Sequence, residues 1–142
     1  MTSGGINGIS HITFIVGDLN RTSRMLEQIF DAQEVYSSGD ETYSYSREKY
    51  FHVNGVWLAI MEGEPLPERS YNHIAFKISE TDYDVYLERI KEMGLEIEAG
   101  RDRIPGEGRS IYFYDYDNHL FELHTGSLED RLREYSDGGE RR

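Results

Sequence analysis

Three side chains of this chain have the types and settings of metal ligands: His11, His73 and Glu122. The histidines sit in short segments that alternate apolar and polar residues. Glu122 interrupts the apolar run Leu120-Phe-Glu-Leu-His124. A carboxylate in such a run is costly to bury unless it is paired or bound to a metal. Two imidazoles and one carboxylate suit Mn, Fe, Co, Ni or Zn. Three protein ligands leave positions open for water or substrate, which is the pattern of a catalytic site rather than a structural one. A lone strand histidine is more often a satisfied core or surface residue. The weight here comes from a repeat.

Gly8-Ile-Ser-His-Ile-Thr-Phe-Ile-Val-Gly-Asp18 matches Ser70-Tyr-Asn-His-Ile-Ala-Phe-Lys-Ile-Ser-Glu80 at an offset of 62 positions, which sets His11 on His73. Both segments alternate as strands do, with Ile12, Phe14 and Val16 on one face and His11, Thr13 and Ile15 on the other. A helix follows each. Asp18 or Asn20 caps residues 21–30, with Met25, Leu26, Ile29 and Phe30 inward. Ser79 or Thr81 caps residues 83–93, with Val85, Tyr86, Ile90 and Met93 inward, and Gly94 ends it. Strands are predicted over 32–37 and 95–99. Each half closes with a hairpin: 43–53 with 56–62 around Asn54-Gly55, a strong turn signal, and 109–114 with 120–125 around 115–118. The order is βαβββ twice.

The fold class is therefore α+β, with two βαβββ repeats forming a curved mixed sheet around a metal cavity. The chain reads as a single domain over 1–142, with repeats 8–62 and 70–126, a linker at 64–69, a loop at 105–108, a C-terminal helix at 127–135 and a frayed end after it. Aligning the hairpins on Asn54-Gly55 and Asn118-His119 sets Leu58 against Glu122. The first half then has no carboxylate there, and one metal site serves each pair of halves. His52, His119 and His124 fall outside the repeat. His119 reads as a turn residue, whereas His124 shares a strand face with Glu122 and is placed to support it.

Composition narrows the function classes. The net charge of −12, from 15 Lys+Arg against 27 Asp+Glu, repels a phosphate backbone, so no nucleic-acid partner is expected. The absence of cysteine excludes disulfides, zinc thiolates, iron–sulfur clusters and a thiol nucleophile, and fits a cytoplasmic location. Residues 1–9 lack the basic and apolar regions of a signal peptide, and no stretch approaches the roughly 18 apolar residues of a membrane helix. The 11 Tyr, 6 Phe and 1 Trp supply much of the apolar area, and several tyrosines are expected to line a wet cavity.

The residues also carry a family likeness. Gly8-Ile-Ser-His11-Ile-Thr13, Tyr71-Asn-His73-Ile-Ala-Phe76 and Gly106-Glu-Gly-Arg-Ser110-Ile-Tyr112-Phe-Tyr-Asp-Tyr-Asp-Asn-His-Leu-Phe-Glu122-Leu-His resemble the vicinal oxygen chelate superfamily. Within it they resemble fosfomycin-resistance proteins, most closely the hydrolase (FosX) type, over about residues 8–135. The third segment is the specific one. The resemblance implies a Mn(II) enzyme acting on fosfomycin, a phosphonate bearing an epoxide. It also implies a domain-swapped homodimer, with His11 from one chain and His73 with Glu122 from the other.

In the hydrolase type water opens the epoxide, and the resemblance puts the required general base at Glu48. Taken alone, Glu48 reads as an exposed strand residue between two charged neighbours, Arg47 and Lys49. The resemblance assigns Ser110, Tyr112 and Arg131 to the phosphonate, with Arg103 preferred over Arg101 as a further donor. Arg131 otherwise reads as a helix-surface arginine paired to Glu134 or another carboxylate. Thr13 is placed to reach the epoxide oxygen and Trp57 to pack on the substrate methyl, although an indole is commoner in a core. The 101–106 stretch lacks the lysine and serines of the thiol-transferase loop, which favours water over glutathione. The other readings are thiol transfer to the same epoxide, a drug-binding module, and a glyoxalase-like isomerase or ring-cleaving dioxygenase, since fold does not fix function.

Overall fold

The computed structural model describes residues 4–100 and 104–141, so Arg101 and Arg103 lie outside the described residues. The chain forms two compact units, Met1–Leu66 and Pro67–Arg142, which part within the predicted linker. The first unit runs β1 (His11–Val16), α1 (Leu19–Phe30), β2 (Gln33–Ser37), β3 (Glu48–Val53) and β4 (Val56–Glu62). The second runs β5 (His73–Lys77), a 3-10 turn over Glu80–Asp82, α2 (Tyr83–Glu92), β6 (Ile97–Glu98), β7 (Ser110–Tyr114), β8 (Leu120–His124) and α3 (Leu128–Arg141).

The sheet orders are β1-β4-β3-β2 and β5-β8-β7-β6. In each sheet the first strand lies parallel to the last, and the other pairs are antiparallel. The expected repeat is thus present as two mixed four-stranded sheets of one plan, and the fold is α+β.

Local chemistry sets the helix ends. The Asp18 carboxylate accepts from the Arg21 amide at 3.0 Å, closing the N-terminus of α1. No side chain caps the 3-10 turn or α2, so neither Ser79 nor Thr81 serves. Gly94, at φ 73°, ends α2: its amide donates to the Lys91 carbonyl at 2.9 Å and the Leu95 amide reaches Ile90 at 3.4 Å. This pair of bonds is the Schellman arrangement. Ser127 and Asp130 cap α3 reciprocally, at 3.1 and 3.3 Å. That helix extends past 135 to Arg141. Glycine weakens a helix but, unlike proline, keeps its N–H, so Gly138 and Gly139 do not stop it.

Of the α1 face, Met25, Leu26, Ile29 and Phe30 are all buried, as are Phe51, Leu58 and Ile60 of the strands β3 and β4 on which the helix lies. In α2 only Ile90 is buried, and Val85 is 48% exposed. Tyr86, Ile90 and Met93 follow a 4-then-3 spacing along one stripe, and Val85 lies off it. Ile111, Phe113, Phe121 and Leu123 form the core of the second unit.

Strand lengths differ from the sequence reading where pairing partners run out. β3 begins at Glu48 rather than Tyr43, because Glu48 already pairs with Met61 near the end of β4. Tyr43 and Tyr45 precede it as exposed bends. The register also moves one equivalence. Thr13 pairs with Ala59 and Ala75 pairs with Glu122, so Ala59, not Leu58, is the counterpart of Glu122. The first hairpin turns on Asn54 and Gly55, both at positive φ. The second closes with the Asp115 amide on the His119 carbonyl at 2.9 Å and is one residue longer. Alanine is no ligand either, so the first unit still lacks the carboxylate.

Candidate metal centre

Strand pleating assigns faces. In the first unit His11 and Thr13 of β1 pair with Trp57 and Ala59 of β4, which pair with His52 and Tyr50 of β3. Glu48 is one pleat further along the same face. In the second unit His73 lies on the face that carries Leu120, Glu122 and His124 of β8 and Ser110, Tyr112 and Tyr114 of β7. Each predicted strand ligand therefore sits on the face away from its helix.

His73 and Glu122 meet directly: Nε2 and Oε1 are 2.9 Å apart. On the other side of the ring, Nδ1 is 2.7 Å from the Tyr71 carbonyl. A carbonyl only accepts, so Nδ1 carries the proton. The Nε2 lone pair then faces a carboxylate oxygen. Two acceptors at that distance call for a cation, either a proton or a metal ion. Glu122 is 4% exposed, which makes such compensation necessary. The residues present thus fit a divalent metal.

His11 repeats the arrangement in the first unit. The Ser10 hydroxyl meets its Nδ1 at 3.0 Å, so Nε2 is the nitrogen that could take a metal. Its ring packs on Trp57, with centroids 4.3 Å apart. Trp57 is 37% exposed on this face and not a core indole. Among the described residues no three metal-ligand side chains cluster together.

Glu48 is buried, at 2% exposure, rather than an exposed strand residue. Its charged neighbours are engaged elsewhere. Arg47 forms a fork with Glu62, its Nε at 3.1 Å from Oε1, and Lys49 pairs with Glu34 at 2.9 Å. The Glu48 Oε2 accepts from the Ser44 hydroxyl at 3.3 Å, while Oε1 is buried without a hydrogen-bond partner. Burial, and after it the Glu48 charge, raise the Tyr36 phenol above its usual pKa. Tyr50 is raised by burial first, then by its hydrogen bond to Glu48 and the carboxylate charge. Both phenols stay protonated at neutral pH. Glu48 thus keeps one buried oxygen without a hydrogen-bond partner, beside two proton-bearing phenols.

The phosphonate candidates divide. Tyr112 is 4% exposed and its hydroxyl meets that of Tyr71 at 3.0 Å. Tyr71, Tyr112 and Tyr114 line a cavity of about 230 Å³, and the rings of Tyr71 and Tyr112 both touch His73. Ser110 donates to Glu122 Oε2 at 2.5 Å. Arg131 of α3 lies 3.6 Å from Glu107, the carboxylate it pairs with in place of Glu134. Sequence reading passed over Glu107, which is fully buried in the 105–108 loop. The one available signal was an acidic residue held between Gly106 and Gly108.

A protein-family model described as the Glyoxalase/Bleomycin resistance protein/Dioxygenase superfamily matches residues 8–123. The chain belongs to this superfamily. Within it, the chain is 63% identical over 130 residues to the fosfomycin resistance protein FosX of Listeria innocua, covering 92% of this chain and 98% of that one. It is 37% identical over 139 residues to the metallothiol transferase FosB of Bacillus licheniformis, covering 95% and 86%. Among solved structures it superposes with a TM-score of 0.85, at 56% identity, on a glutamate-to-glutamine mutant of FosX from Listeria monocytogenes complexed with Mn(II) and 1S,2S-dihydroxypropylphosphonic acid, covering 92% and 99%. FosX from Mesorhizobium loti gives a TM-score of 0.82 at 58% identity, covering 91% and 99%.

Proposed function

We propose that this chain is a Mn(II)-dependent epoxide hydrolase that converts fosfomycin to its diol and so confers resistance. The observation that carries the reading is Glu48, a buried carboxylate with one unpartnered oxygen on the face that holds His11 and Thr13. Thiol transfer needs no such base, because a bound thiol can ionise itself. Identity to FosX proteins well above that to FosB supports the same choice.

In this reading His11, His73 and Glu122 hold the metal, with His11 supplied by a second copy of the chain in a homodimer. Mn(II), when bound, supplies a Lewis acid for the negative charge that builds on the epoxide oxygen. Glu48 takes a proton from water as the water oxygen bonds to an epoxide carbon and the carbon–oxygen bond of the ring breaks. That proton returns to the released oxygen, leaving a vicinal diol. Thr13 donates a hydrogen bond to the ring oxygen, and Trp57 packs on the methyl group. Tyr112, Arg131 and Arg103 receive the phosphonate, Arg131 through its planar fork. Ser110, whose hydroxyl donates to Glu122, turns it to the phosphonate when substrate is bound. No described helix is long and apolar enough to cross a membrane. A chain without cysteines fits the cytoplasm, and the reading places it there.

Product analysis tests the proposal. Protein loaded with Mn(II) is incubated with fosfomycin, with and without low-molecular-weight thiols. Diol in the absence of thiol, lost on chelation, is expected. A product that forms only with thiol refutes hydrolysis in favour of transfer.

A further inference from the structure

Behind Glu122 runs a line of polar groups whose donor directions can be assigned one by one. Glu107 anchors the far end. It is fully buried, its Oε2 accepting from the Ile104 amide at 2.7 Å and its Oε1 from the Tyr135 hydroxyl at 2.9 Å. Oε1 also lies 3.6 Å from Nε of Arg131. Arg131 in turn brings Nη2 to 3.5 Å from Nε2 of His124.

A guanidinium has donors and no acceptor, so Nε2 of His124 accepts and Nδ1 carries the hydrogen. Nδ1 lies 2.7 Å from the Ser110 oxygen. Ser110 therefore accepts there, and its single proton goes to Oε2 of Glu122 at 2.5 Å. The opposite imidazole tautomer would leave one serine proton between two acceptors, and one of the two contacts would fail. Arg131 thus sets the direction of the bonds from His124 through Ser110 to Glu122.

We propose that His124 is a positioning residue for the metal carboxylate. Acting through Ser110, it immobilises Oε2 of Glu122, so that Oε1 stays presented beside Nε2 of His73. Arg131, held by Glu107, selects the tautomer this requires. The inference rests on the reading of His73 and Glu122 as metal ligands. Groups that orient a ligand in this way typically contribute about 10–100-fold to metal affinity.

The test is a Mn(II) titration of the full-length chain, followed by the electron paramagnetic resonance of free Mn(II), with no substrate present. His124→Phe should weaken binding about 10–100-fold. His124→Asn, whose amide N–H falls where Nδ1–H was, should retain most of the affinity. In a Ser110→Ala background His124→Phe should add much less than its loss in the wild type, because His124 reaches Glu122 mainly through Ser110, its own Nδ1 standing 3.5 Å from Oε2. Unchanged Mn(II) affinity in His124→Phe, or a loss that adds in full to that of Ser110→Ala, overturns the inference. If the Phe variant does not fold, Asn against Gln decides. Gln reaches the Nε2 position and leaves Ser110 unserved, so equal affinities for the two overturn the inference. A wild-type chain without saturable Mn(II) binding would instead overturn the metal assignment itself.

Discussion

Glu48→Gln replaces the proposed base with a group of the same shape that cannot take a proton at neutral pH. The packing cost is small. The Ser44 hydroxyl, now 3.3 Å from Oε2, and the Tyr50 hydroxyl can still donate to the amide oxygen. The new amide nitrogen would occupy the place of Oε1, which has no partner to lose. An unsatisfied buried amide costs about 1–3 kcal/mol, partly offset because a carboxylate is no longer desolvated. The variant should therefore fold, with Mn(II) affinity close to wild type, since Glu48 lies on a different strand from every assigned ligand. Removal of a general base lowers kcat about 10²–10⁴-fold, equivalent to about 2.7–5.5 kcal/mol in the barrier. The assay is the rate of diol formation by phosphorus NMR without thiol, with thermal unfolding and Mn(II) titration run alongside. Arg47→Ala and Lys49→Ala serve as controls, because those side chains pair with Glu62 and Glu34 and should leave kcat near wild type. Hydrolysis by Glu48→Gln within about threefold of wild type, less than about 1 kcal/mol, would refute the base assignment.

Two further outcomes follow from packing and charge. Phe121 is 1% exposed and stacks on Phe113 at a centroid distance of 5.5 Å. Phe121→Ala should cost about 3–5 kcal/mol in chemical denaturation, and a loss below about 1 kcal/mol would show that the β7–β8 core is not packed as described. Asp130 is held below its usual pKa, first by its hydrogen bonds to Ser127 and then by Arg133, against the opposing effect of burial. A depressed folded-state value means that its contribution is present above the unfolded value of about 3.9 and disappears as pH falls through the folded one. The protection of amides at the start of α3, measured against the intrinsic exchange rate at each pH, should fall over that acidic window, and Asp130→Asn should remove the fall. Protection that is flat across the window would contradict the capping role.

The features legible in the sequence were those made by neighbours along the chain. The offset of 62 between His11 and His73 announced two copies of one unit. Asp18 before α1 and Gly94 after α2 marked helix ends, because a cap needs only a side-chain acceptor or a residue tolerant of positive φ. The apolar stripe of α1 was read without error for the same reason. The pairing of Ala59 rather than Leu58 with Thr13 was not legible. One residue more in the second turn shifts a strand past its partner, and nothing in β4 itself records that.

The candidate site divides along the same line. Residue types made His11, His73 and Glu122 candidates, and the family likeness, not local pattern, singled out Glu48. Tertiary structure decided the state of each. Arg47 and Lys49 flank Glu48 in sequence but turn away to Glu62 and Glu34, because side chains alternate across a strand, and the buried carboxylate keeps an oxygen without a partner. The line from Glu107 through Arg131, His124 and Ser110 to Glu122 joins a glycine loop, a C-terminal helix and two strands. The sequence by itself determined which side chains were capable of holding a metal. Only the tertiary structure decided which way their protons point, because a hydrogen bond's direction depends on the donors and acceptors that folding brings to both of its ends.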